Sequence, residues 1–141
     1  MDPRAPATRP LRVAELDHVV VRCADQVRTL DFYTRVLGLV EERRLDAIGL
    51  VQLRAGRSLL DLVPADAPPA FEARNVDHFC LGIEVDDLDA LVRYLAAAGV
   101  PILGEPTERY GAHGSGPSLY VTDPEGNVVE LKQMPRRRPP G

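Results

Sequence analysis

The chain has no apolar run of roughly 18 residues, the length a membrane-crossing helix needs, so no transmembrane segment is expected. Its opening stretch, MDPRAPATRPLRV, lacks the apolar core of a secretory signal. Only two cysteines are present, without the spacing of a disulfide framework. These absences together predict a reducing, cytoplasmic setting, with Cys23 and Cys80 serving as small core residues. No basic stripe interleaves with aromatics, and the net charge is −4 with a pI near 5.4. Nucleic acid is therefore not an expected partner, and no membrane partner is expected.

What is present is enough for a packed interior: 45% of the 141 residues are hydrophobic. That length fits one domain, or two small modules that share a core. Both ends read as disordered, residues 1–12 through three prolines without periodicity and residues 135–141, PRRRPPG, as a solvated basic tail.

Between the ends the sequence repeats. ELDHVVVRCAD (15–25) and NVDHFCLGIEV (75–85) each place Asp-His before a run of strand formers. Each strand leads into a helical pattern. The first helix has Asp25 as its N-cap, Gly38 as its stop, and an apolar face of Val27, Leu30, Phe32 or Tyr33, Val36 and Leu37. The second presents Leu88, Leu91, Val92 and Leu95 and stops at Gly99 and Pro101. Three strands follow each helix, near 39–45, 48–54 and 58–63, then near 102–108, 117–122 and 127–133. The predicted fold is α+β: a first βαβββ module over 13–64, a linker over 65–75 and a second module over 76–134. The stretch GEPTERYGAHGSGPS (104–118) is the one long insertion in the second module. With four glycines and two prolines it is expected to be a mobile lid.

Each module opens on a histidine and closes on a carboxylate inside an apolar strand: His18 with Asp61 in LLDLV, His78 with Glu130 in VVELK. A carboxylate among aliphatics loses hydration and must be compensated by a cation, a metal or a proton. Imidazole nitrogen with carboxylate oxygen is a normal donor set for Zn²⁺, Ni²⁺, Fe²⁺ or Mn²⁺. Alternation along the strands then nominates cavity-wall residues. Arg22 shares a face with His18, Cys80 with His78, Lys132 with Glu130, and Ser118 with Tyr120 and Thr122. Arg109 and His113 in the insertion are further candidates for touching substrate.

The chain resembles the vicinal oxygen chelate superfamily, which includes glyoxalase I, extradiol dioxygenases, fosfomycin-modifying enzymes and bleomycin-resistance proteins. The resemblance covers about residues 14–134 and rests on LDHVVVRCADQVRTLDFYTRVLGL, VDHFCLGIEV and above all SLYVTDPEGNVVEL. It implies paired βαβββ modules whose mixed sheet curves around a metal cavity. It places His18, His78 and Glu130 on the family's metal ligands, with one divalent Fe, Ni, Mn or Zn ion per chain. Asp61 falls where glyoxalase I has a glutamate, one methylene longer, and four protein ligands rather than three would favour isomerase over oxygenase chemistry. Arg22 falls on a glutathione-binding arginine, whereas Ala65 replaces that enzyme's asparagine. Ser118 and Tyr120 match substrate-side positions of the fosfomycin enzymes. The implied activity is that of a metal-dependent lyase or dioxygenase, with Glu130, Tyr120 and Asp61 as catalytic residues. Arg22, Cys80, His113, Ser118 and Lys132 would be substrate contacts. A thiol transferase and a non-catalytic ligand-binding protein are the alternatives, and a homodimer is expected.

Overall fold

The computed structural model describes residues 10–135; residues 1–9 and 136–141, which hold most of both expected disordered ends, lie outside it. The first module runs β1 (His18–Cys23), α1 (Gln26–Asp31) with its wide continuation Phe32–Val36, β2 (Val40–Leu45), β3 (Leu50–Ala55) and β4 (Ser58–Pro64). The second runs β5 (Phe79–Ile83), α2 (Leu88–Ala97), β6 (Ile102–Gly111), β7 (Gly114–Thr122) and β8 (Val128–Gln133). The two four-stranded sheets have the same order, β1-β4-β3-β2 and β5-β8-β7-β6, with the first pair of each parallel and the rest antiparallel. No helix among the described residues is long and apolar enough to cross a membrane.

Both helices begin where short acidic side chains cap them. Asp25 accepts from the Arg28 amide and Asp87 from the Ala90 amide, each at 3.1 Å. Both end at a glycine with positive φ, Gly38 and Gly99. The first helix departs from the expected apolar face. Its last five residues form a π turn in which the Leu37 amide reaches the Phe32 carbonyl, and the wider turn brings Phe32, Tyr33 and Val36 inward together. Val27, expected on that face, is 81% exposed, and Thr29, two residues on, is the buried residue of this stretch instead.

The insertion also differs from expectation. Residues 104–118 are not an irregular loop; they form most of a hairpin, β6 joined to β7 through Ala112 and His113. Thr107, Arg109 and Tyr110 pair with Ser118, Gly116 and Ser115, so ladder hydrogen bonds override the breaker composition. Gly114, at φ 93°, accommodates the turn.

The modules share one core. Val21, Cys23, Leu53, Leu60 and Leu62 from the first sheet join Leu119, Val121, Val129 and Leu131 from the second, with Tyr33, Phe32, Val36 and Leu95 between. Each of these side chains contributes about 1.5–3 kcal/mol of burial. Cys23 is thus a core residue as expected, its thiol pushed up to about 12 by burial first and then by Glu125 and Asp123. Cys80 is not: it is exposed, because it lies on the opposite face of its sheet from the shared core.

Polar bonds fix how the modules meet. The Tyr33 hydroxyl donates to Asp123 Oδ2 at 2.7 Å, Thr29 Oγ1 donates to Glu125 Oε1 at 3.2 Å, and the Asp25 amide donates to the same oxygen at 2.6 Å. Burial and the Asp123 charge hold the Tyr33 phenol well above its usual range, so it stays a donor. Tyr33→Phe is expected to lower the unfolding free energy by about 1–3 kcal/mol in urea titrations, since Asp123 loses a buried donor. A loss below about 0.5 kcal/mol would mean that this contact does not tie the modules together.

Candidate metal centre

Strand alternation puts the shared core on one face of each sheet and the candidate site residues on the other. In the first module Val19, Val21 and Cys23 point to the core, while His18, Val20 and Arg22 face outward and are exposed or half-buried in the single chain. Asp61 is paired with Val20 on β4 and so lies on the same face, 4% exposed. Its compensation is an amide: Gln52 Nε2, opposite it on β3, stands 3.2 Å from both carboxylate oxygens. Gln52 was not legible as a site residue, because a lone glutamine in LVQLRA signals nothing until the register sets it against Asp61.

The second module has the same plan with tighter contacts. Cys80 pairs with Glu130, Tyr120 with Glu130 and Ser118 with Lys132, all on the face turned away from the core. Glu130 is 7% exposed. His78 Nε2 lies 3.1 Å from its Oε1, and the Ser118 hydroxyl donates to its Oε2 at 2.6 Å. The Tyr120 ring meets the His78 ring edge-on at 5.4 Å, and Arg109 Nε donates to the Tyr120 hydroxyl at 3.2 Å. Burial would raise the Glu130 carboxyl, but bonds from Ser118, Tyr120 and His78 outweigh it and hold the group below its usual range.

The repeated Asp-His pair has a local explanation. In both modules the aspartate accepts from Nδ1 of the following histidine, Asp17 from His18 and Asp77 from His78, each at 2.7 Å. That bond is the largest influence raising both imidazoles. With Nδ1 donating to the aspartate, Nε2 is the ring nitrogen that turns its lone pair to a metal when one is bound, as second-sphere carboxylates arrange for metal-ligating histidines. In His78 the same nitrogen donates to Glu130 when it carries a proton.

The donor chemistry of each half fits two ligands of a divalent ion. Two donors on one first-row ion lie about 3.0–3.4 Å apart, and the His78–Glu130 separation of 3.1 Å falls in that range. His18 and Asp61 form the equivalent pair, close enough for the carboxylate's charge to raise the imidazole. The four do not meet within one chain: among the described residues no three His, Cys, Asp or Glu side chains gather around a common point. The structure therefore brings together His78 with Glu130, Ser118, Tyr120, Cys80 and Lys132, and separately His18 with Asp61. Arg22 is exposed on the β1 face beside His18, and His113 is exposed at the β6–β7 turn. Although Cys80 is exposed as a residue, neighbouring atoms strip water from its thiol and, with the Glu130 charge, push it up to about 11, so it is protonated near neutrality.

Comparison with known proteins shows the family and the fold. The family model of the Glyoxalase/Bleomycin resistance protein/Dioxygenase superfamily matches residues 15–131. The glyoxalase domain-containing protein RDO1 of Mycosarcoma maydis is 31% identical over 127 residues, 87% of this chain and 70% of that protein. Virulence protein STM3117 of Salmonella typhimurium is 27% identical over 86% of this chain and 85% of its own. Its crystal structure superposes with a TM-score of 0.70, covering 89% of this chain and all of that one. A lactoylglutathione lyase from Agrobacterium tumefaciens, 25% identical, superposes at 0.62 over 86% and 95% of the two chains.

The Ser118–Glu130 bond stabilises the ionised carboxylate, and a carboxyl held low contributes stability above its unfolded-state pKa that is lost as pH falls through its folded value. Ser118→Ala is accordingly expected to cost about 1–2 kcal/mol near pH 7 and progressively less toward pH 3. Urea unfolding across that range checks it, and a pH-independent loss would contradict the assignment.

Proposed function

Because the chain belongs to the Glyoxalase/Bleomycin resistance protein/Dioxygenase superfamily, we propose that it is a divalent-metal-dependent enzyme acting on a small oxygenated molecule. The observation that carries this reading is the duplicated half-site: an Asp-bound histidine beside a buried carboxylate at equivalent positions of both modules. His18 and Asp61 would hold the ion from one side, His78 and Glu130 from the other. The chemistry such an ion would supply is polarisation of two neighbouring substrate oxygens and stabilisation of negative charge on them.

This chain's own groups then have separable tasks. Glu130, aligned by Ser118 and His78, is the group that moves a proton at the carbon next to the polarised oxygens. The Tyr120 hydroxyl, itself accepting from Arg109, donates to a substrate oxygen. Asp61, held by Gln52, either completes the ligand set or serves as the opposing base. Cys80 walls the cavity as a neutral thiol, and Arg22, Ser118, Lys132 and His113 line its approach. The similarity to a lactoylglutathione lyase favours the lyase or isomerase branch over ring cleavage.

The half-sites lie apart in one chain, so the proposed working form is a homodimer in which each cavity takes one module from each protomer. β1 and β5, next to the two histidines, are sheet edges with a free side for such pairing. Leu16 and Val20, 71% and 52% exposed, supply apolar surface beside β1. Metal analysis of purified protein is expected to give about one ion per chain, lost in both His18→Ala and Glu130→Ala. Co-expression of the two variants should restore about a quarter of wild-type loading, because only mixed dimers hold one intact site. Ion retained in both single variants would contradict the metal assignment. No recovery on mixing would contradict the shared cavity.

A further inference from the structure

Lys132 is the one feature of the second module's cavity face that the metal reading leaves unexplained. Its side chain is 5% exposed, and Nζ is buried without a hydrogen-bond partner among the described residues. An ammonium so placed gives up hydration without compensation, and a methionine of similar length would fill the space without that cost.

The surroundings are shaped to hold the cation rather than to neutralise it. The stem runs over Gly111, where a Cβ would sit 3.2 Å from Cδ and Cε. The head reaches Gly116, where a Cβ would sit 3.2 Å from Nζ and 3.0 Å from the Gln133 carbonyl oxygen. The cross-strand partner of Gly116 is Arg109, whose side chain rises on the same face, donates to the Tyr120 hydroxyl through Nε and makes a long 3.4 Å bond from Nη1 to the Glu108 carbonyl. Two cations thus flank one glycine, on the same sheet face as Glu130 and Ser118. Glu130 is engaged by His78 and Ser118 instead of by Lys132.

We infer that Lys132 and Arg109 form an oxyanion subsite, so that the substrate carries an anionic group, a carboxylate or a phosphate, in addition to its chelating oxygens. This rests on the reading of that face as the substrate cavity. The ammonium supplies a point charge at the floor and the guanidinium a fork at the rim, and a bound oxyanion satisfies the lysine that the fold leaves unpaired.

The test measures thermal unfolding of the full chain at constant ionic strength with inorganic phosphate or acetate replacing chloride. Wild type, Lys132→Met, Lys132→Arg and Arg109→Ala are compared, with metal content determined on the same samples. One of the two anions is expected to stabilise the wild type saturably and so identify the group. Its apparent affinity should fall about tenfold or more in Lys132→Met, severalfold in Arg109→Ala, and stay within about threefold in Lys132→Arg. Without added anion, Lys132→Met is expected to unfold at a higher temperature than wild type. Equal responses in wild type and Lys132→Met, or no response in wild type, would overturn the subsite. If Lys132→Met does not fold, Arg109→Ala and Lys132→Arg decide the same question. An anion response with no metal in the wild type would sink the metal reading and leave the subsite standing.

Discussion

The carboxylate of Asp123 holds the molecule's organisation in one place. Its Oδ1 accepts from the Glu125 and Asn127 amides at 2.9 and 2.8 Å, which closes the turn between β7 and β8. Its Oδ2 accepts from the Asn127 side chain and from Tyr33 of the other module. A buried charge with four donors is satisfied, and each donor it orders serves a different level of structure. The turn sets the register of β8 against β7, and that register sets Glu130 against Tyr120 and Lys132 against Ser118. The Tyr33 bond sets the second sheet against the first helix. The site chemistry thus depends on a residue that takes no part in it.

From that arrangement a division of labour follows for each sheet. One face is spent on the joint core, so side chains of alternate parity must face away from it. On β8 those are Glu130 and Lys132, and on β4 Asp61. Charged groups in these positions are costly to the single chain. Gln52 and Ser118 offset part of that cost, and Lys132 receives nothing. The lasting imbalance lies where a ligand would bind.

Much of this was legible in the sequence because it rests on local patterns. The βαβββ repeat showed in the Asp-His pairs, the capping aspartates and the stopping glycines, and all eight strands fell within a few residues of expectation. What escaped depends on context that spacing does not carry. Val27 is exposed although its position fits the apolar face, and the π turn that follows brings Phe32, Tyr33 and Val36 inward together. The hairpin at 104–118 hid behind glycines and prolines whose neighbours pair across it. Cys80 was read as core because a small apolar residue in a strand has two faces, and only the packing tells which one is covered. Within the site, His18, His78, Asp61 and Glu130 stood out by repetition. Gln52 and the charge of Lys132 gained meaning only from register and burial.

The central claim is that two half-sites converge on one ion, and anomalous X-ray diffraction from crystals grown with Ni²⁺ or Mn²⁺ tests it most directly. The account predicts one strong peak per chain beside His78 Nε2 and Glu130 Oε1 of one protomer, closed by His18 and Asp61 of another. A peak bounded by residues of one module alone, or one lying away from Glu130, would contradict it.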